Sequence, residues 1–264
     1  MAEESAKGAL RGKVALVTGS TGGIGLAVAQ SLAVQGCDLI LHGQVDPLEV
    51  APTLADLTMR HGIRASYRAV ELADPTAIAT MLDEIGPVDV LVNNAAVRHF
   101  APIEELSPAD WDLDLAVNLT ATFHLIRLSL SGMRQRGWGR IINMSSIYGL
   151  VGGTDRAGYI TTKTALIGLT RAVALETAQT GITCNAICAG TTLTPNIEGR
   201  IAASMATTGL DLAAATAQFL VGKNPSGRIV EANAIGATVA FLCSEAGRDI
   251  TGTALPMDGG WSAA

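Results

Sequence analysis

Four residues between positions 118 and 163 have types and spacings that suit proton transfer. Tyr159 and Lys163 are four positions apart, so they share one face of any helix that contains them. A tyrosine hydroxyl titrates at about pH 10, and a neighbouring ammonium lowers that value by favouring the phenolate. Ser146 can hydrogen-bond to a reacting oxygen, and Asn118 is expected to hold a water that relays protons to Lys163. The set predicts a catalytic group that exchanges a proton with an alcohol or a ketone.

A glycine-rich segment near the start of the chain suits a phosphate-bearing cofactor. Residues 18–25 read Thr-Gly-Ser-Thr-Gly-Gly-Ile-Gly and lie between the first predicted strand and the first predicted helix. Glycines at 19, 23 and 25 permit a sharp turn and a close approach to a pyrophosphate, and the helix directs its free N–H groups at that anion. This context predicts a dinucleotide-binding loop.

The end of the second predicted strand bears on the choice between NAD and NADP. An acidic residue at this place holds the ribose hydroxyls of NAD, whereas an arginine accepts the 2′-phosphate of NADP. Here the residues are His42, Gly43 and Gln44, with Asp46 displaced beyond them, and Gly22 places no cation in the glycine loop. Because no guanidinium is offered to the phosphate, the sequence favours NAD over NADP.

Short β-branched segments alternate with longer helical patterns, and these elements must position the residues above. The alternation predicts one doubly wound (Rossmann) α/β domain over residues 1–264, with a seven-stranded parallel sheet covered by helices on both faces. The Ala- and Thr-rich segment 191–227 is predicted to be an irregular insertion and a substrate lid, because it follows the end of a strand. The predicted strands are 13–17, 38–41, 65–70, 88–93, 140–144, 182–188 and 253–257, and the predicted helices are 24–35, 47–60, 75–85, a long one after Ser107, 157–180 and 231–243.

The composition excludes several classes of function. The net charge of −6 gives no basic field for nucleic acid, and no apolar run is long enough to span a bilayer. The polar start of the chain lacks the apolar core of a signal peptide, and four scattered cysteines favour reduced thiols in a cytoplasmic protein. Cys184 and Cys188 lie roughly 13 Å apart along one predicted strand, too far to share an ion, so no metal is predicted.

Together these motifs resemble the short-chain dehydrogenase/reductase family over residues 13–261. The matching segments are Thr18-Gly-x-x-x-Gly-Ile-Gly25, Asn93-Asn-Ala-Ala96, Asn118, Ser146, Tyr159-x-x-x-Lys163 and Met257-Asp-Gly-Gly260. One departure is Ala189, where the family usually has a proline before Gly190. The resemblance implies a nicotinamide cofactor that lies along residues 94–96, with Glu71 and Leu72 near its adenine. The cofactor-binding residues predicted from the motifs and the resemblance are Gly19, Thr21, Gly23, Ile24, Gly25, Gln44, Glu71, Leu72, Asn94, Ala95, Ala96, Tyr159, Lys163, Gly190, Thr192 and Thr194.

Within the family, segments 101–105, 138–143 and 183–188 are similar to those of the bacterial D-3-hydroxybutyrate dehydrogenases, which are NAD-dependent tetramers. That subfamily binds the substrate carboxylate with a glutamine, a histidine and a lysine, and this chain has Arg98, Tyr148 and Arg156 at those positions. An arginine can bind a carboxylate with two hydrogen bonds. The resemblance therefore implies a homotetramer that acts on a short anionic hydroxy or keto acid. The predicted substrate-binding residues are Arg98, Ser146, Tyr148, Arg156 and Trp261.

Two other functions are weighed on the sequence. The family also contains NADPH-dependent 3-oxoacyl thioester (acyl-carrier-protein) reductases, which would predict a basic residue at the second strand or in the glycine loop. A protein that senses NAD without turning it over would tend to lack Tyr159 or Lys163, and both are present. A dehydrogenase of hydroxy acids fits the residues best.

Overall fold

Seven parallel strands form one sheet in the computed structural model, which describes residues 8–264 and, at position 196, the backbone alone. The first seven residues of the predicted domain lie outside the described part. The order across the sheet is β3-β2-β1-β4-β5-β6-β7, so the predicted doubly wound, single-domain α/β fold is confirmed. The strands are β1 (Val14–Val17), β2 (Asp38–Gly43), β3 (Ala65–Ala69), β4 (Val90–Asn93), β5 (Gly139–Met144), β6 (Ile182–Ala189) and β7 (Ala254–Met257).

Helices cover both faces of this sheet. In the described residues none of them is both long and apolar enough to cross a membrane. The helices are α1 (Gly23–Val34), α2 (Pro47–His61), α3 (Pro75–Ile85), α4 (Pro108–Leu115), α5 (Ala121–Arg136), α6 (Ala157–Thr177), α7 (Pro195–Thr208), α8 (Leu212–Leu220) and α9 (Ala232–Cys243).

Neighbouring residues of β4 point into two separate apolar cores. Leu91 packs in the cluster that α3 and α5 cover, and Val92 packs in the cluster that α1 and α9 cover. Successive side chains of a strand leave opposite faces, so a strand buried on both sides is apolar throughout. This central strand lies beside β1 at the place where the strand order reverses, which is where open α/β sheets form their binding crevice.

The long helix predicted after Ser107 is interrupted. The helix α4 ends at Leu115, the backbone widens into a π-helical turn over Ala116–Thr120, and α5 then continues from Ala121. A π-turn inserts one residue into a helix and is frequent at functional sites. Asn118 lies in the middle of this turn, so the asparagine that is unusual inside a helix coincides with the irregularity.

The segment 191–227 is mostly helical, so its predicted irregularity was wrong. Thr194 and Asp211 each accept a hydrogen bond from a first-turn N–H at the start of α7 and α8, at 3.5 and 2.8 Å. Gly209 ends α7 in the left-handed conformation. Alanine has the highest helix propensity and the segment is rich in it, so capping and propensity together outweigh its glycines and prolines.

Candidate active site

The glycine loop after β1 places the start of α1 at the sheet edge. Gly19 and Gly23 have positive φ angles of 60° and 53°, and a Cβ at Gly25 would overlap the carbonyl oxygen of Gly19. Among the described residues, no side chain caps α1, whose N-cap is Gly22. The first-turn N–H groups are therefore left for an anion, and the loop fits the pyrophosphate of a dinucleotide.

Asn94, the first residue after β4, holds this loop in place. Its side-chain amide donates to the carbonyl oxygens of Thr18 and Gly19, both at 2.9 Å. In return, the hydroxyl of Thr18 accepts hydrogen bonds from the backbone N–H groups of Asn94 and Ala95, at 2.9 and 3.0 Å. These four bonds fix the ends of β1 and β4 to each other, so the loop does not have to be ordered by the cofactor.

His42 is a further support of the loop, and the sequence analysis missed it. Its ring is buried, its Nδ1 accepts a hydrogen bond from the Gly19 N–H at 3.3 Å, and its Nε2 lies 2.9 Å from the carbonyl oxygen of Val70. Since Nδ1 accepts, the proton is on Nε2 and the ring is neutral. Burial lowers the pKa of His42, which keeps it neutral. Its position, 23 residues after a loop glycine, carries no local signal.

The residues predicted for the adenosine end lie beside β2 and β3. The Gln44 amide donates to a Glu71 carboxylate oxygen at 2.6 Å, and the other oxygen accepts from the Ala73 N–H at 2.8 Å. The Leu72 side chain is buried in the core, so contact with a cofactor would use its backbone. Thr21 packs against Gly43, where an added Cβ would lie 2.8 Å from the threonine methyl carbon.

Ser146, Tyr159 and Lys163 line one cavity of about 780 Å³ at the carboxyl ends of the strands. The Lys163 ammonium donates to the Met144 carbonyl oxygen at 2.7 Å and lies 5.5 Å from the centre of the Tyr159 ring. Burial, followed by the nearby charge of Arg98, lowers the pKa of Lys163 to about 7. The Ser146 hydroxyl oxygen accepts a bond from the Tyr148 N–H at 3.2 Å, so its own proton can be donated elsewhere.

Asn118 does not line this cavity. Its side chain makes two bonds to the backbone of Val97, accepting from the N–H at 2.8 Å and donating to the carbonyl at 3.0 Å. It also donates to the Thr162 hydroxyl at 3.3 Å, in the same turn of α6 as Lys163. The side chain therefore joins the loop after β4 to α6, and its predicted part in a water relay stays a prediction.

The residues predicted to bind substrate do come together. The Arg98 guanidinium lies over the Tyr159 ring, 5.0 Å from its centre, and the Arg156 guanidinium lies 4.5 Å from the centre of the Tyr148 ring. The Tyr148 ring meets Trp261 edge to face, with 5.6 Å between centres. All of them line the cavity that Ser146, Tyr159 and Lys163 line.

The sequence analysis missed two cations of the segment 191–227 that face the same cavity. Arg200 on α7 and Lys223 after α8 both lie over the Phe219 ring, 5.0 and 3.9 Å from its centre. The predicted cofactor residues Ile24, Gly190 and Thr192 also line the cavity. The only local signal for the two cations was charge in an otherwise Ala- and Thr-rich segment, and that pattern is more typical of a solvated helix face. The remaining predicted cofactor residues that line the cavity are Asn94, Ala96 and Thr194.

Potential metal ligands do not cluster near these groups within residues 8–264, where no three or more of them lie together. All four cysteines are buried and unpaired, and burial raises the pKa of each thiol, so they are inert packing residues. They are Cys37, Cys184, Cys188 and Cys243.

Comparison with known proteins decides the family. The profile of the family described as short chain dehydrogenase matches residues 13–204, well over half of the chain. The chain belongs to the short-chain dehydrogenase/reductase family. It is an oxidoreductase that acts on CH–OH groups, as its relatives in that family do.

The relatives of this short-chain dehydrogenase match over almost its full length. A D-beta-hydroxybutyrate dehydrogenase of Cupriavidus necator is 42% identical over 258 residues, covering 96% of this chain and 99% of the relative. One from Rhizobium meliloti is 36% identical, covering 95% and 99%. A 3-oxoacyl-[acyl-carrier-protein] reductase of Aquifex aeolicus is 34% identical, covering 95% and 98%.

Solved structures of the family superpose closely on this short-chain dehydrogenase. The L-sorbose reductase of Gluconobacter frateurii, complexed with NADPH and L-sorbose, has a TM-score of 0.91 at 28% identity, covering 98% of this chain and 99% of that one. The family thus binds a nicotinamide cofactor, and the glycine loop above fits one.

Proposed function

We propose that this short-chain dehydrogenase catalyses the reversible oxidation of a short anionic hydroxy acid to the keto acid, with NAD as its cofactor. The observation that carries the proposal is one cavity in which Ser146, Tyr159 and Lys163 lie together with the two guanidinium groups of Arg98 and Arg156. Proton-transfer groups and carboxylate-binding groups within one cleft favour a hydroxy acid over a neutral alcohol. The similarity to two D-beta-hydroxybutyrate dehydrogenases supports the same choice.

The chain's own residues supply proton transfer and orientation. A bound nicotinamide ring supplies the hydride acceptor or donor. Tyr159, as phenolate, takes the proton of the substrate hydroxyl, and the Ser146 hydroxyl donates a hydrogen bond to the same oxygen. The Lys163 ammonium stabilises the phenolate, and its 2.7 Å bond to the Met144 carbonyl fixes its position. Arg98 and Arg156 hold the substrate carboxylate, with Tyr148 and Trp261 as walls.

The adenosine end of the cleft supports NAD over NADP. A 2′-phosphate would meet the Glu71 carboxylate, which is held beside Gln44 by a 2.6 Å hydrogen bond. His42 is neutral and turned into the loop, so it offers no cation there. Like charges repel, and no ion pair within residues 8–264 brings a guanidinium to Glu71, which disfavours the phosphate. The NADPH bound to the L-sorbose reductase and the similarity to a 3-oxoacyl thioester reductase make NADPH-dependent reduction of such a thioester the second candidate.

Steady-state kinetics test the proposal. Oxidation of D-3-hydroxybutyrate and related hydroxy acids with NAD or NADP is compared with reduction of a 3-oxoacyl thioester by NADH or NADPH. The Tyr159→Phe variant should lose about 100- to 10,000-fold in turnover, because the proton carrier is gone. Its affinity for NADH, measured by fluorescence titration, should change little. Unchanged turnover in this variant would refute the catalytic assignment, and turnover of the thioester alone would favour the second candidate.

We also infer a homotetramer in the cytoplasm. The helices α4, α5 and α6 each expose a large apolar side chain, Leu113, Phe123 and Leu175, at 38, 46 and 81% of its surface. Buried, unpaired thiols suit a reducing compartment. Light scattering on the purified protein tests the assembly, and a charged substitution at Phe123 should shift it to smaller species.

A further inference from the structure

The cavity holds more positive charge than one substrate carboxylate requires, and the pyrophosphate of the cofactor is assigned above to the N–H groups of the glycine loop and α1. Five cationic side chains line it, and no acidic residue does so within the described part of the chain. This is unexpected in a protein whose net charge is −6. The five are Arg98, Arg156, Lys163, Arg200 and Lys223.

These cations form two groups. Arg98 and Lys163 belong to the reacting end, because they lie 5.0 and 5.5 Å from the centre of the Tyr159 ring. Arg200 and Lys223 form a second group in the segment 191–227, at 5.0 and 3.9 Å from the centre of the Phe219 ring. Arg156 connects the two groups: it is assigned above to the substrate carboxylate and lies 4.5 Å from the centre of the Tyr148 ring, while its charge and that of Arg200 both lower the pKa of Lys223. We call Arg156, Arg200 and Lys223 the distal cation cluster.

No carboxylate of the protein neutralises the distal cation cluster. Among residues 8–264, no ion pair within 4.0 Å involves any of its three members, although ion pairs form elsewhere on the surface. Lys223 donates to the Phe219 carbonyl and Arg156 to the Thr154 carbonyl, each at 2.8 Å. Like charges held together without a counterion repel one another, and an anion between them would remove that repulsion.

We propose that the substrate carries a second anionic group, a carboxylate or a phosphate, at the end away from the reacting hydroxyl, and that the distal cation cluster binds it. This rests on the proposed function for the reacting end. Two members of the cluster, Arg200 and Lys223, belong to the segment 191–227, and Arg156 precedes α6 in the body. A second anion would therefore contact both the segment 191–227 and Arg156. Its binding would stabilise a closed position of the predicted lid over the cavity.

Matched substrates test the proposal. The compounds are 3-hydroxyglutarate, its monoamide, and 3-hydroxy-4-phosphooxybutyrate, with 3-hydroxybutyrate as the short reference. The monoamide has nearly the size of the diacid and lacks the second charge. A charge-assisted hydrogen bond contributes roughly 1.5–3 kcal/mol, so kcat/KM for a dianion should exceed that for the monoamide about 10- to 100-fold. Comparing the diacid with the phosphate identifies which second group is preferred.

Variants assign the preference to the cluster. In the Arg200→Gln/Lys223→Gln double variant, the ratio of kcat/KM between diacid and monoamide should fall close to one. The matched control is Arg228→Gln, which removes a charge one residue beyond that segment and outside the cavity and should keep the ratio of the wild type. A ratio near one in the wild type, or a ratio unchanged in the double variant, overturns the proposal while the proposed function stands.

Binding separates this proposal from the catalytic one. If none of the hydroxy acids is turned over, the proposed function fails. Calorimetric titration of 3-hydroxyglutarate and its monoamide into the NAD-saturated protein then decides the second-anion proposal. Tighter binding of the diacid in the wild type, lost in the double variant, supports the distal cation cluster as an anion site. Equal binding of the two compounds overturns it.

Discussion

The two walls of the active-site cleft are built differently. The wall formed by the glycine loop, His42 and Asn94 is neutral, and backbone groups satisfy its polar side chains, as in the bonds of Asn94 and His42 to the glycine loop. The opposite wall, formed by residue 156 and the segment 191–227, carries three cations that no protein carboxylate pairs within the described residues. The first wall is complete without a ligand, whereas the second lacks its counterion. Under the proposed function, the first wall receives the cofactor and the second wall receives the substrate.

The largest effect is expected from a substitution in the glycine loop, where the wall has no room for an added methyl group. The Gly25→Ala variant places a methyl group on the Gly19 carbonyl oxygen, so the loop must shift. A displacement of about 1 Å in a functional site lowers its performance on the order of 100-fold. We therefore expect a loss of that size in NADH affinity, measured by fluorescence titration.

The matched control lies in the opposite wall. At Gly199 in α7 an added Cβ meets nothing within 4 Å, so Gly199→Ala should leave NADH affinity unchanged and slightly stabilise the helix. Equal losses in the two variants would contradict the difference between the walls.

The next effect concerns the substrate wall. Arg156→Gln removes a guanidinium stacked on Tyr148, and kcat/KM for the hydroxy acid should fall about 10- to 100-fold while the Kd for NADH holds. Arg156→Lys keeps the charge without the bidentate geometry, so kcat/KM should fall less than in Arg156→Gln. A parallel loss of NADH affinity would show that the walls are not independent.

A smaller effect is expected at the adenosine end. Gln44→Arg offers a guanidinium to a 2′-phosphate at the end of β2, and the ratio of NADP to NAD in kcat/KM should rise about 10-fold. Glu71 stays in place in this variant and limits the gain, so Gln44→Arg/Glu71→Gln should raise the ratio further. If the ratio of NADP to NAD is unchanged in the double variant, residues other than Gln44 and Glu71 determine the cofactor preference.

The smallest effect is a pH dependence of stability from His42. Burial lowers its pKa in the folded state below the unfolded value of about 6.5. The unfolded state therefore binds more protons as the pH falls, and the folded state loses stability below about pH 6.5. Between pH 7 and 5 the free energy of unfolding, from urea titrations, should fall more for the wild type than for His42→Gln.

The control for this measurement is His61→Gln, which changes a histidine in the last turn of α2. The free energy of unfolding of His42→Gln should depend less on pH than that of His61→Gln, because His42 is buried against the glycine loop. If the two variants show the same pH dependence, His42 does not carry the proposed proton linkage.

The fold followed from local patterns, and its errors have physical causes. The alternating strand and helix patterns predicted all seven strands in their order along the chain, because each hydrophobic pattern depends only on neighbouring residues. The π-turn at Asn118 was not predicted, since its bonds to Val97 and Thr162 join residues 21 and 44 positions away. The segment 191–227 was misread because its glycines and prolines at the helix ends resemble those of an irregular loop.

The sequence by itself identified the residues proposed for the reacting end and located the glycine loop. A Tyr-x-x-x-Lys spacing or a glycine loop between strand and helix has geometric consequences within a few residues of chain. Only the tertiary structure decided that Arg200 and Lys223 share the cleft with Arg98 and Arg156, since these residues belong to separate parts of the chain and meet through packing. It also decided the neutral state of His42, because burial and a backbone partner set a protonation state that residue type leaves open.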